Sequence, residues 1–161
     1  PGFIDVHIHG SNGADAMDGT VEALKTISSY IATKGTTKFL ATTLTSSKEE
    51  LINVLKIAAD LQDKEIDGAT IFGVHMEGPY FDIEYKGAQN EKYMKPATEK
   101  EIKDYLDVKP GLVKMMSLSP HTEQSIETVK FLKENVQPND VVITTGAGPI
   151  YLVGEQLIKE A

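Results

Sequence analysis

The chain contains no cysteine. It can therefore form neither disulfides nor thiolate metal sites, and histidine and carboxylate side chains remain as its strong metal ligands. That lack is compatible with a cytoplasmic setting. No stretch approaches the ~18 consecutive apolar residues needed to span a bilayer, and the first residues hold neither a basic n-region nor an apolar h-region. Neither a membrane segment nor a targeting signal is expected. Basic charge is in the minority, with 16 Lys and Arg against 24 Asp and Glu, a formal charge of −8, and no clustered basic run. Nucleic acid and anionic membrane surfaces are accordingly poor partners.

What is present suits one folded domain. A length of 161 residues with 40% hydrophobic and 25% charged content allows a proper core. The chain opens on Pro1-Gly2, without an initiator methionine, and runs directly into a strand-like segment. It is expected to be a piece of something longer.

Hydrophobic pattern and breakers alternate strand and helix from one end to the other. Phe3 to His9 reads as a strand with Ile4, Val6 and Ile8 on one face and Asp5, His7 and His9 on the other. A polar, glycine-rich loop follows from Gly10 to Gly19. A helix is predicted from about Thr20 to Lys34, with Gly35 as its C-cap, and a strand from Lys38 to Thr42. Ser46-x-x-Glu49 and Ser47-x-x-Glu50 are overlapping capping-box candidates, behind which Leu51, Val54, Leu55, Ala58 and Leu61 repeat at helical spacing. Ala69 to Val74 is a third strand leading into His75-Met76-Glu77. The segment from Gly78 to Pro96 has no sustained period, and a connection well beyond the usual 2 to 6 or so residues is commonly functional. Thr98-x-x-Glu101 opens a third helix, Leu112 to Leu118 forms a fourth strand, and Thr122 to Asn135 a fourth helix. Val141 to Thr145 and Pro149 to Glu160 complete the pattern as strand and helix. Roughly five βα units favour an α/β fold with a parallel sheet and helices outside it.

Two strings carry the chemistry. In an extended strand, residues i and i+2 share a face, so His7 and His9 point the same way and can grip one divalent ion. Glu77, brought in from another strand end, would complete an N/O ligand set acceptable to zinc, iron or manganese. Ligands at the C-terminal ends of the first and third strands must converge on one rim, as they do in a (β/α)8 barrel. Five units are too few to close such a barrel, which usually needs about 250 residues.

The phrase from Pro1 to Gly10 resembles the first-strand signature of the amidohydrolase superfamily, metal-dependent hydrolases built on a (β/α)8 barrel. Within it, Gly73-Val74-His75-Met76-Glu77-Gly78-Pro79-Tyr80 and Lys86-Gly87-Ala88-Gln89-Asn90 are similar to the N-acetylglucosamine-6-phosphate deacetylase family. The resemblance implies that residues 1–161 are a partial barrel lacking its second half and a small β-sandwich. It implies that Glu77, His7 and His9 bind one or two divalent metals, and that Ala88 and Gln89 touch a sugar phosphate; many relatives carry histidine where Gln89 stands. The implied reaction is hydrolysis of the acetamido group to glucosamine 6-phosphate and acetate, in a cytoplasmic enzyme that pairs as a homodimer when complete. The general-base aspartate is expected beyond residue 161. Gly146-Ala147 falls where the family has a Gly-His metal ligand, so the isolated chain is expected to be inactive. Deacetylation of the galactosamine isomer and a non-catalytic metal-binding remnant are the alternatives.

The remaining polar residues have plainer readings. Asp5 either orients a histidine or caps backbone groups, and His75 is either structural or substrate-facing. His121 is expected in a solvated loop. Lys86, Lys92 and Lys95 either attract a phosphate or are solvated, and Tyr80, Tyr85 and Tyr93 pack the long loop.

Overall fold

A computed structural model of the chain describes residues 1–119 together with 130, 131 and 134. The segments predicted as the fourth helix, fifth strand and fifth helix, and with them His121 and Ala147, lie outside the described residues except for those three positions.

Four strands form one parallel sheet: β1 (Phe3–Ile8), β4 (Thr36–Thr42), β5 (Thr70–Glu77) and β6 (Val113–Ser117), in that order across the sheet. Between β1 and β4 the chain makes a two-stranded antiparallel ribbon, β2 (Gly10–Ser11) with β3 (Ala14–Asp15), and a short 3₁₀ turn, then helix α1 (Val21–Ala32). Helix α2 (Lys48–Leu61) precedes β5 and α3 (Glu99–Leu106) precedes β6. The spatial order of the parallel strands follows their chain order without reversal. A doubly wound sheet reverses at a switch point, whereas a barrel advances in one direction, so this winding is that of a barrel.

The helices begin where the caps lie. Thr20 accepts from the Ala23 amide, Ser47 and Glu50 form the reciprocal box, and Thr98 accepts from the Glu101 amide. Helix α1 stops at Ala32, two residues short of the sequence expectation, because Thr33, Lys34 and Gly35 each donate to carbonyls three back, and Gly35 takes a φ of +90°. The loop expected from Gly10 to Gly19 is more ordered than its composition indicates: Asn12 and Gly13, both at positive φ, turn the β2–β3 ribbon.

Leu24, Ile27 and Ile31 from α1, Leu51, Leu55 and Ala58 from α2, and Ile102 and Tyr105 from α3 pack with Phe39, Ala41, Ile71, Val74 and Met76 from the strands. On β5, Val74 and Met76 belong to this helix-facing core, so the alternate residues His75 and Glu77 face the other side of the sheet. Strand β1 leaves most of its apolar side chains exposed. Phe3 (75% exposed), Ile4 (59%) and Val6 (45%) are open, since β1 is the sheet edge and nothing among the described residues covers them.

Candidate metal centre

The end of β1 leaves the ladder just where its histidines lie. Asp5 pairs with Phe39 and Ile8 with Ala41, with a register shift between them. Three backbone groups in that stretch find side chains. Asp5 Oδ1 accepts from the His7 amide at 3.0 Å, Thr42 Oγ1 accepts from the Ile8 amide at 2.9 Å, and the Val6 carbonyl accepts from His75 Nδ1 at 3.3 Å. Asp5 is therefore a backbone cap. Such irregularities are common next to active sites, and His7 lies within this one.

His9 Nδ1 lies 3.2 Å from the Thr42 carbonyl. A carbonyl only accepts, so Nδ1 carries a proton, and in the neutral ring the lone pair sits on Nε2. That Nε2 is 2.8 Å from Glu77 Oε2, and His7 Nε2 is 3.6 Å from the same oxygen. One ligand atom from each of His7, His9 and Glu77 falls within 4.8 Å of the others. Glu77 Oε2 is buried and receives no hydrogen bond. The lone pair of a neutral imidazole and a carboxylate oxygen at this separation repel unless a proton or a metal cation lies between them. Ligand bonds of about 2.0–2.2 Å put neighbouring donors roughly 3 Å apart, so the spacing fits a shared divalent ion.

His75 does not belong to that ligand set. It is 3% exposed, and both nitrogens are committed, Nδ1 to Val6 and Nε2 to Ser117 Oγ at 2.8 Å. Burial pushes its pKa below the ordinary histidine value and the neighbouring His7 lowers it further, so it is neutral near pH 7. Its ring stands edge-on to that of His7, centroids 5.1 Å apart.

The long connection after β5 is anchored at both ends. At its start, Gly78 takes a φ of +84° against Thr45 and joins Pro79 through a cis peptide bond. Tyr80 is fully buried, and its hydroxyl and that of Tyr105 both donate to Glu101 Oε1 at 3.0 Å. Lys95 pairs with the other oxygen of Glu101 at 2.9 Å. Burial, with Glu101 nearby, drives both phenols well above the ordinary tyrosine range. In the middle of the loop Gln89 is buried, with Oε1 accepting from the Thr45 amide at 2.8 Å, while Ala88 is exposed. Lys86 donates to the Gln89 main-chain carbonyl and Lys92 lies over the Tyr93 ring, so the loop lysines brace the loop itself.

The structure thus brings His7, His9 and Glu77 together, and holds Gln89 on Thr45, at the end of the neighbouring strand. Thr42, Thr45 and Ser117, which meet His9, Gln89 and His75 respectively, were missed by sequence reasoning. A hydroxyl at a strand end is more often a matter of β propensity than of function, and only the fold shows which ring or amide it meets.

Residues 1–147 match the amidohydrolase family model, and the chain belongs to that family. Within it, the chain is 35% identical over 137 residues to the N-acetylglucosamine-6-phosphate deacetylase of Bacillus subtilis, an alignment covering 83% of this chain and 35% of the relative. The structure of the deacetylase of the same name from Thermotoga maritima superposes with a TM-score of 0.70 at 35% identity, covering 84% of this chain and 35% of that one. A mutant of the Mycobacterium smegmatis enzyme, solved with N-acetyl-D-glucosamine-6-phosphate, gives a TM-score of 0.75 at 26% identity over 83% of this chain and 34% of that one. The chain spans about a third of the length of the relatives it matches, and its sheet corresponds to part of their (β/α)8 barrel.

Proposed function

We propose that the complete protein is a divalent-metal-dependent deacetylase of N-acetylglucosamine 6-phosphate, releasing acetate and glucosamine 6-phosphate. The observation that carries this reading is the convergence of His7, His9 and the undonated Glu77 Oε2 on one point, in a chain similar to deacetylases of that substrate. His7, His9 and Glu77 would hold the ion. When bound, it would polarise the amide carbonyl and bring the pKa of water down to about 7, so that attack proceeds near neutral pH. His9 is kept in the binding tautomer by Thr42. Gln89, its side-chain carbonyl occupied by Thr45, offers its amide NH₂ to an acceptor on the sugar, and Ala88 is exposed in the same turn. Zinc, iron or manganese suits two imidazoles and a carboxylate.

The proton-transferring aspartate and further ligands are assigned to polypeptide beyond residue 161, so residues 1–161 alone are inactive in this reading. A cytoplasmic homodimer is proposed for the whole protein. The test is acetate release from N-acetylglucosamine 6-phosphate by the full-length protein, beside the galactosamine isomer. Chelator-sensitive turnover of the glucosamine compound is expected; none, with metal supplied, or a preference for the isomer, would overturn the assignment.

A further inference from the structure

We propose that His75 is a positioning residue that sets the spacing of the metal ligands, its Nδ1–H holding the Val6 carbonyl and with it the His7 end of β1 against the strand that carries Glu77. The inference rests on the metal-centre reading above. Strands β1 and β5 are not neighbours, since β4 lies between them. In a flat sheet their backbones would stand roughly 9.5 Å apart. His75 nevertheless reaches the Val6 carbonyl at 3.3 Å, across the inner face of β4. It can do so because Val6 lies in the stretch where the β1–β4 ladder breaks, between Asp5 and Ile8. The neighbours of that carbonyl in sequence are Asp5, which caps the His7 amide, and His7 itself. A bond to Val6 therefore fixes the backbone from which His7 projects.

Ser117 on β6 meets the other ring nitrogen. The Val6 carbonyl only accepts, so the ring proton is on Nδ1, and in the neutral ring Nε2 accepts from Ser117 Oγ–H at 2.8 Å. The two bonds join β1, β5 and β6 through a single ring edge-on to that of His7, two residues before Glu77 on its own strand. With both nitrogens used, His75 has no lone pair to give a metal. Its effect on the centre is exerted through the distance between β1 and β5.

Filling space beside the His7 ring and donating to Val6 are separable by substitution. His75→Leu keeps an apolar group of similar bulk and removes the donor. His75→Asn places an amide NH₂ close to the Nδ1 position and loses bulk. Zinc binding to the full-length protein, measured by equilibrium dialysis on metal-free samples, is compared for the parent and these variants, with the thermal midpoint of each metal-free protein recorded beside it. Partners that orient metal ligands are worth roughly 10–100-fold in affinity. His75→Leu is expected to lose that much, and His75→Asn to stay within about threefold of the parent, even where its midpoint is the lower of the two. If His75→Leu does not fold, His75→Gln, whose amide reaches toward Ser117 rather than Val6, is expected to bind at least tenfold more weakly than His75→Asn. Parent-like zinc binding by His75→Leu, or equal binding by the Asn and Gln variants, would overturn the inference while leaving the metal centre intact. A parent protein that binds no zinc would overturn both.

Discussion

His9 Nε2 and Glu77 Oε2 face each other at 2.8 Å while His9 Nδ1 lies against the Thr42 carbonyl, so in the neutral ring no proton stands between Nε2 and Oε2. Glu77→Gln replaces one of the two acceptors with an amide that can donate to Nε2. The metal-free variant is expected to melt no lower than the parent, yet to gain nothing from added metal. For the parent, zinc at a hundredfold excess over its dissociation constant should add about 2.7 kcal/mol. Paired thermal melts with and without zinc check this. An equal zinc-dependent gain in both proteins would count against Glu77 as a ligand.

Glu101 joins α3 to the start and end of the long loop by accepting from Tyr80 and Tyr105 and pairing with Lys95. Glu101→Leu leaves two buried phenols and an ammonium without their common acceptor. A loss of about 2–4 kcal/mol in urea unfolding is expected, against roughly 1 kcal/mol for Tyr80→Phe, which removes one donor and strands no charge. Similar losses for the two variants would show that Glu101 acts only through the Tyr80 hydroxyl and not as a common acceptor for three groups.

Gln89 uses its side-chain carbonyl on the Thr45 amide, so it can serve substrate only as a donor. An imidazole in its place can accept from Thr45 through one ring nitrogen while the other donates, so Gln89→His should retain most of kcat/KM in the full-length protein. Gln89→Glu keeps the acceptor for Thr45 and has no donor left; a loss of tenfold or more, carried mainly by KM, is expected. A Glu variant as active as the parent would make Gln89 a loop brace and nothing more.

The start of α2 gives a pH dependence whose sign is fixed. Glu50 accepts from the hydroxyls of Ser46 and Ser47 and from the Ser47 amide, and these bonds hold its carboxyl below the ordinary value of 4.5. A carboxyl whose pKa is lower folded than unfolded releases its proton more readily in the native state. Its stabilisation is present above pH 4.5 and is lost as pH falls through the lower, folded value. Glu50→Gln should therefore narrow the difference between thermal midpoints measured near neutrality and in acid, relative to the parent. An unchanged difference would mean that other carboxylates govern the acid limb.

Much of this arrangement is legible in the residues. The caps at Thr20, Ser47 and Thr98 and the apolar repeat from Leu51 to Leu61 place the helices because those signals are local. His7, His9 and Glu77 are recognisable as partners because alternation along a strand puts the two histidines on one face and βα order puts both strand ends on one rim. The distance between those strand ends depends on how far the sheet curls, and no local pattern carries it. The bond from His75 to Val6 crosses an intervening strand, and the ladder break that frees Val6 arises from pairing with β4. For a related reason the alternation of Ile4 and Val6 does not say whether they are buried, since that depends on what lies beyond the edge of the sheet.

Zinc-edge anomalous diffraction from crystals of the full-length protein tests the central assignment most directly. The expected result is a peak about 2.0–2.2 Å from His9 Nε2 and from a Glu77 carboxylate oxygen, with His7 Nε2 turned toward the same ion. Zinc bound elsewhere, with His9 and Glu77 still 2.8 Å apart and empty between them, would contradict it.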